Sequence, residues 1–136
     1  MTAQSPDARS PRSRPVIRNI TPADLRNYRL PLPGIVSILH RVSGALLFVM
    51  FWLVLWLLQS SLSDAATFRA LWANPLVKLI LFALLWSLMH HLCAGIRYLV
   101  MDTNHGATDL KAARQSASLV VLVSLVLTVI IGVKLW

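Results

Sequence analysis

Two groups of polar and small residues lie inside long apolar stretches of this chain, where their side chains could bind a cofactor or carry protons. The first group has the spacing Ser37-x2-His40-Arg41-x2-Gly44, and the second has the spacing His91-x3-Gly95-x-Arg97-x4-Asp102. An arginine or aspartate at membrane depth costs roughly 2.5–3.5 kcal/mol on insertion scales, so such residues usually face a protein interior and serve a ligand, an ion or an electron path. The two groups therefore mark a candidate site.

The first group falls on one side of a helix. Ser37, His40, Arg41 and Gly44 follow the i, i+3, i+4, i+7 pattern of neighbours on a helix surface. A stripe that carries a hydroxyl, an imidazole and a guanidinium is poorly suited to contact with lipid. We expect this stripe to face protein or a ligand.

The second group divides between two sides of its helix. One face carries Ser87, His91, Gly95, Tyr98 and Asp102. A neighbouring face, about 100° away, carries His90, Ala94 and Arg97. The two adjacent histidines therefore cannot do the same job, and we expect His90 to make packing or polar contacts between helices.

Depth in the membrane suggests what the second group could bind. His91 lies roughly 15 Å from the cytoplasmic end of its span, where a histidine serves either as a proton relay or as a metal ligand. Gly95, one turn away, leaves room for a macrocycle against the backbone. His40, Arg41 and Arg97 lie nearer the cytoplasmic side, where they could neutralise the propionates of a haem whose iron sits deeper. The order of depth and the sign of the charges agree with a haem b.

The elements that position these residues are membrane-spanning helices. A chain of 136 residues that is 57% hydrophobic and 13% charged cannot hide its apolar surface in one small soluble core. The fold class is therefore all-α and integral to the membrane, with spans predicted at 34–58, 76–101 and 116–136, each near or above the ~20 residues that cross a bilayer. Residues 1–33 form a predicted cytoplasmic segment, of which 1–15 are expected to be disordered, and 34–136 form the anchor domain.

The charge of +8 reflects topology and does not indicate a nucleic-acid partner. Six arginines precede the first span, and Lys111 and Arg114 lie in the second connection, so both regions are predicted to be cytoplasmic by the positive-inside rule. The polar, proline-containing start lacks the apolar core of a cleavable signal peptide and the amphipathic pattern of a mitochondrial transit peptide. We therefore favour a bacterial inner membrane over a mitochondrial one.

Several common chemistries have no support in the sequence. The single cysteine, Cys93, cannot form an intramolecular disulfide and lies within the second span. There is no CxxC pair, no phosphate-binding glycine loop and no nucleophile elbow. Cysteine-ligated clusters, P-loop nucleotide binding and serine hydrolase chemistry are therefore not expected.

From Arg14 onward, the chain resembles the cytochrome b membrane-anchor subunits of succinate dehydrogenase, that is, of succinate:quinone oxidoreductase. Arg14-Pro15 and the run Ser37-Ile38-Leu39-His40-Arg41-Val42-Ser43-Gly44 are similar to the first signature of that family, and His91-x3-Gly95-Ile96-Arg97-x4-Asp102 is similar to the second. Both signatures lie on spans in the expected order.

The resemblance implies specific roles. His91 matches an axial ligand of haem b, and Ser37 and Arg41 match residues of the ubiquinone site. It also implies a second three-helix anchor subunit, which shares the haem and supplies the other axial ligand, together with iron-sulfur and flavoprotein subunits. The chain would be an enzyme subunit that passes electrons from succinate to quinone in the citric acid cycle and respiratory chain, with no succinate-oxidising chemistry of its own.

One position departs from the family pattern. Many members have a histidine directly after the arginine of the second signature, near a haem propionate, and this chain has Tyr98. A phenol can donate a hydrogen bond but carries no positive charge. The propionate role is therefore assigned to His40, Arg41 and Arg97.

Two other functions remain open from the sequence. A haem-free structural anchor, of the same complex or of a fumarate reductase, would keep the fold without the cofactor. A small proton-linked transporter would use His90, His91 and Arg97, but the sequence has no internal repeat and no pair of broken helices to support it.

Overall fold

The computed structural model describes residues 29–104 and 108–135, which form four helices. They are α1 (Leu32–Ser63), α2 (Ala65–Ala73), α3 (Pro75–Thr103) and α4 (Leu110–Leu135). Among the described residues, α1, α3 and α4 are long and apolar enough to cross a membrane. The predicted all-α fold with three spanning helices is thus confirmed. Most of the predicted cytoplasmic segment, including 1–15, lies outside the described residues.

The helix boundaries follow from residues that terminate or cap helices. Pro31, in extended conformation, directly precedes α1. The Asp64 side chain accepts hydrogen bonds from the backbone N–H groups of Ala66 and Thr67 and so caps α2. Asn74 caps α3 by accepting from the N–H of Leu76 at 2.9 Å. The Asp64 carboxyl also accepts a hydrogen bond from the Thr67 hydroxyl. This bond, and to a smaller extent the two N–H bonds, lowers the pKa of the carboxyl below its ordinary value of 3.8.

The spanning helices extend beyond the predicted spans. Helix α1 continues to Ser63, and α4, which is the third span, begins at Leu110. Hydropathy detects the part of a helix that lies in lipid and does not detect its polar ends. The short helix α2 was not predicted. It has nine residues, fewer than half of the ~20 that cross a bilayer, so a search for apolar spans does not detect it.

The helix α3 packs against both α1 and α4. The buried apolar core is small and consists of Val36, Leu84, Ala94, Ala113, Ala117 and Val120. Small polar side chains are buried with it, namely Ser43, Ser87, Ser124 and Thr128. Small residues allow close approach of helices where lipid supplies no hydrophobic driving force. Large side chains point outward instead, and Phe48 and Trp52 are 78% and 70% exposed.

Candidate functional site

The imidazole of His91 is held by the backbone of α1. Its Nδ1 lies 3.0 Å from the His40 carbonyl oxygen and 3.3 Å from Ser43 Oγ. A carbonyl oxygen only accepts, so Nδ1 carries the hydrogen and Nε2 keeps its lone pair. Nε2 makes no hydrogen bond to any described residue, and the side chain is only half-buried. This is the arrangement in which a histidine ligates a metal through Nε2 while a carbonyl fixes the ring.

Gly44 makes room for this imidazole. A Cβ placed on Gly44 would lie 2.8 Å from His91 Cε1 and 3.2 Å from His91 Nδ1, closer than side chains pack. Gly44, in the first signature, therefore lets α1 approach the imidazole of His91, in the second signature. The neighbouring Ser43 hydroxyl donates to the His40 carbonyl at 2.9 Å and lies on the same edge of the ring.

The two predicted stripes meet through aromatic rings. The rings of His40 and His91 stack with centroids 4.2 Å apart and planes 16° from parallel. Tyr98 is tilted against His40 at a centroid distance of 5.3 Å. A Cβ on Gly95 would lie 3.7 Å from His40 Nε2, an ordinary contact, so Gly95 lines the same space without being required by it.

Ser37 is the exception among the serines. Eight of the nine serines in the described ranges donate their hydroxyl to a carbonyl of the preceding turn, and Ser37 does not. It makes no hydrogen bond to any residue the structure describes. Arg41, one turn later, is exposed and likewise has no described partner. Neither donor at this end of α1 is thus bonded to a residue within 29–104 or 108–135.

Arg97 faces α4. Its Nε donates to Ser116 Oγ at 2.9 Å and its Nη2 to the Ala113 carbonyl at 3.3 Å. Only 6% of the residue is exposed. Its Cζ lies 5.4 Å from the centre of the Tyr98 ring, which in turn contacts His40. The propionate role predicted for Arg97 stays a prediction.

His90 lies in the core of the chain. It is fully buried and stacks on Trp86, with ring centroids 5.4 Å apart. Its ring lies near the Val36 backbone, yet neither nitrogen makes a well-formed hydrogen bond within the described part of the chain. The two adjacent histidines thus occupy different environments, as the helical spacing predicts.

Some residues of the site escaped sequence reasoning. Ser43 belongs to the first signature, and its position three residues after His40 could have indicated that it lies beside that carbonyl. The bond from Arg97 to Ser116 depends on how α3 and α4 pack, which no spacing within one helix reveals. No group of three His, Cys, Asp or Glu side chains that could hold a metal ion occurs within 29–104 and 108–135. A haem iron, in contrast, takes only its axial ligands from protein, so this chain would need to supply a single imidazole.

Comparison with known proteins gives a consistent family. The family described as succinate dehydrogenase/fumarate reductase transmembrane subunit matches residues 14–131. The chain is 35% identical to the succinate dehydrogenase cytochrome b556 subunit of Coxiella burnetii, over 83% of this chain and 93% of that protein. It is 34% identical to the subunit of the same name from Paracoccus denitrificans, over 78% of this chain and 83% of that protein. For the subunit from Rickettsia prowazekii, the identity is 35%, over 83% of this chain and 90% of that protein.

Proposed function

The chain belongs to the succinate dehydrogenase/fumarate reductase transmembrane subunit family, and on that premise we propose that it binds haem b and contributes to the quinone-reduction site of a succinate dehydrogenase. Its relatives carry the name cytochrome b556 subunit, which implies a b-type haem in those proteins. The proposal assigns electron transfer to this chain and succinate oxidation to other subunits.

The observation that carries the haem assignment is the free Nε2 edge of His91. A neutral imidazole whose Nδ1–H is held by the His40 carbonyl at 3.0 Å presents its remaining lone pair in a fixed direction. Bound there, a haem b supplies a one-electron carrier whose potential depends on its axial ligands and surroundings. The His40 carbonyl raises the basicity of the imidazole, and Gly44 leaves the space in which the ring is held.

The propionates are assigned to His40 and Arg41. Arg41 is exposed and lacks a described partner, and the His40 ring lies next to that of His91. A guanidinium can bind a carboxylate through two parallel N–H donors. Because Arg97 already donates to α4, the proposal does not depend on it.

The quinone is assigned to Ser37, together with Arg41. The Ser37 hydroxyl is half-buried and makes no hydrogen bond to a described residue, and a guanidinium one turn away can stabilise the negative charge that develops on a quinone oxygen during reduction. Ser37 and Arg41 lie near the N-terminal end of α1, a position that a quinone can reach from the hydrocarbon layer.

The assembly and its orientation are also part of the proposal. The complex contains a second three-helix anchor, which would supply the other haem ligand, and iron-sulfur and flavoprotein subunits on the cytoplasmic face. The N-terminus lies in the cytoplasm of a bacterium, and the electron acceptor is a quinone.

The haem assignment is tested by the reduced-minus-oxidised visible spectrum of the purified complex, wild type beside His91→Leu, with succinate and then dithionite as reductants. We expect a b-type signal in the wild type that is lost or becomes high-spin in the variant. An intact, active wild-type complex without this signal would instead indicate a haem-free anchor.

The quinone assignment is tested separately by Ser37→Ala and Arg41→Leu. Each is expected to lower quinone reductase activity by about 10²-fold, the scale of losing one donor to a developing oxyanion. Succinate oxidation with a soluble dye acceptor should persist, and Ser118→Ala, a back-bonded serine on α4, serves as the matched control. Equal loss of both activities would contradict the assignment.

A further inference from the structure

We propose that Tyr98 is a positioning residue, whose ring holds the His40 imidazole against the face of His91 and so fixes the plane of the His91 ring. Tyr98 acts through His40 and does not bind the haem itself. This role rests on the proposed function, in which His91 ligates the haem iron. Tyr98 is also the position at which the second signature departs from the family pattern.

The His91 ring has two contacts with His40, and each restrains a different motion. The hydrogen bond from His91 Nδ1 to the His40 carbonyl, at 3.0 Å, fixes the direction in which Nε2 points. A single hydrogen bond still leaves a ring free to rotate about the line that joins the two bonded atoms. The His40 imidazole opposes that rotation, because it stacks on the His91 ring with centroids 4.2 Å apart and planes 16° from parallel. The plane of the His91 ring is therefore set by the position of the His40 ring.

The His40 ring needs a support of its own, since this side chain is only half-buried. Gly95 offers it no side chain, and even a Cβ at that position would meet His40 Nε2 only at 3.7 Å. Tyr98 contacts the His40 ring, with centroids 5.3 Å apart and planes tilted by 44°. Within the described part of the chain, His91 and Tyr98 are the two aromatic side chains that touch His40. Without the Tyr98 ring, the His40 side chain gains room to turn to another rotamer.

The Tyr98 ring is itself held in place. It is half-buried and packs against the buried apolar cluster that includes Val36 and Ala117. Arg97 Cζ lies 5.4 Å from its centre, and a cation near an aromatic face is attracted by the charge distribution of the ring. That guanidinium is fixed to α4 by its bond to Ser116 Oγ at 2.9 Å. A ring held in this way can restrain a neighbouring side chain.

The ring of Tyr98, and not its hydroxyl, makes these contacts. The hydroxyl forms no hydrogen bond with a residue of the described ranges. A phenylalanine would therefore keep every contact that the structure shows, whereas an aliphatic residue would lose the ring. A hydrogen bond to a haem propionate, in contrast, would need the hydroxyl. Substitution at this one position thus separates positioning from direct binding.

The test compares Tyr98→Leu and Tyr98→Phe in the purified complex, by electron paramagnetic resonance of the oxidised haem and by redox titration. The g values of a low-spin haem depend on the planes of its axial imidazoles, and its midpoint potential depends on the surroundings of those ligands. Tyr98→Leu should keep its haem, because the bond from His91 Nδ1 remains, but its largest g value should shift. At the wild-type midpoint, the ratio of reduced to oxidised haem should change at least about threefold. Tyr98→Phe should match the wild type in both measurements.

Two further variants control for changes in structure. Phe68→Leu removes a ring from a stacked pair in α2, where the centroids of Phe68 and Trp72 are 5.8 Å apart, and should leave both measurements unchanged. An equal shift in Phe68→Leu would exclude a specific effect of Tyr98. Tyr98→Met, whose unbranched side chain adapts to irregular space, takes the place of Tyr98→Leu if that variant does not assemble. The subunit composition of each purified complex shows whether it has assembled.

Three other results would overturn the proposal. The first is an unchanged g value and potential in Tyr98→Leu, while His91→Leu loses the haem signal. The second is an equal shift in Tyr98→Phe, which would assign the effect to the hydroxyl. The third is loss of haem from both aliphatic variants of Tyr98, which would make it a haem-binding residue. A wild-type complex without haem would instead refute the proposed function, and the role of Tyr98 with it.

Discussion

The two interfaces of α3 use the same kinds of residue in opposite ways. Toward α4, Arg97 and Ser116 bond to each other, and the buried Ser124 and Thr128 hydroxyls donate to their own helix. Toward α1, His91 keeps an unbonded nitrogen. On α1 itself, Ser37 and Arg41 have no described partner. Polar side chains within membrane spans thus fall into two classes. Those that satisfy one another hold helices together, and those left with free donors or lone pairs mark a place for a ligand.

The largest effect on this difference between the interfaces is expected from Gly44→Val, which would push α1 away from the His91 imidazole. Because even a Cβ would lie 2.8 Å from His91 Cε1, the ring must move and its Nε2 loses its direction. We expect haem content per complex to fall at least about tenfold, measured by the reduced-minus-oxidised spectrum.

Gly34→Val, on the same helix, is the matched control, since its Cβ meets Pro31 Cδ only at 3.7 Å. It should retain the haem. Full haem content in Gly44→Val would mean that His91 does not ligate from the position it occupies here.

On the α4 side, Arg97→Ala should reduce stability and leave the haem in place. The change removes the bonds from Arg97 to Ser116 and to the Ala113 carbonyl, which still accepts from Ser116 Oγ, at a cost of about 2 kcal/mol. Thermal unfolding of the complex measures it, with the haem spectrum as the second readout.

Arg69→Ala provides the comparison, because that side chain is exposed, has no partner among the described residues and should alter stability little. Loss of haem in Arg97→Ala would bring Arg97 back to the propionates, as the sequence predicts, and would remove the contrast between the interfaces.

A smaller effect is expected from Ser43→Ala. The hydroxyl lies 3.3 Å from His91 Nδ1 but is not its main partner, so the ring stays and only its polar surroundings change. We expect a shift in haem midpoint potential without loss of haem, found by redox titration. Ser124→Ala, a buried hydroxyl of α4, should leave the potential unchanged, and an equal shift there would exclude a local effect.

The smallest effect concerns α2, which belongs to neither interface. The hydrogen bonds that lower the Asp64 pKa stabilise the cap fully above the ordinary value of 3.8, and this stabilisation is lost as the pH falls through the lower folded pKa. Hydrogen exchange at Ala66 and Thr67, corrected for intrinsic rates, should accelerate only below pH 3.8. In Asp64→Asn this pH dependence should disappear, and its persistence would assign the effect to another group.

The sequence predicted the elements better than their contacts. Hydropathy located all three spans, and helical spacing correctly separated His90, which is buried, from His91, which is half-buried. Spacing could not show that the Gly44 position lies against the His91 ring, because that contact joins two helices. For the same reason it assigned Arg97 to the cytoplasmic charges of the site, whereas its bonds to α4 depend on the azimuth at which the helices pack.

Adjacent imidazoles at positions 90 and 91 create an ambiguity that α4 resolves. Rotation of α3 by one residue, about 100°, would place the His90 ring where the His91 ring now lies. The bonds from Arg97 to Ser116 and to the Ala113 carbonyl oppose such a rotation. The α4 helix therefore helps to determine which of two identical side chains faces the proposed haem.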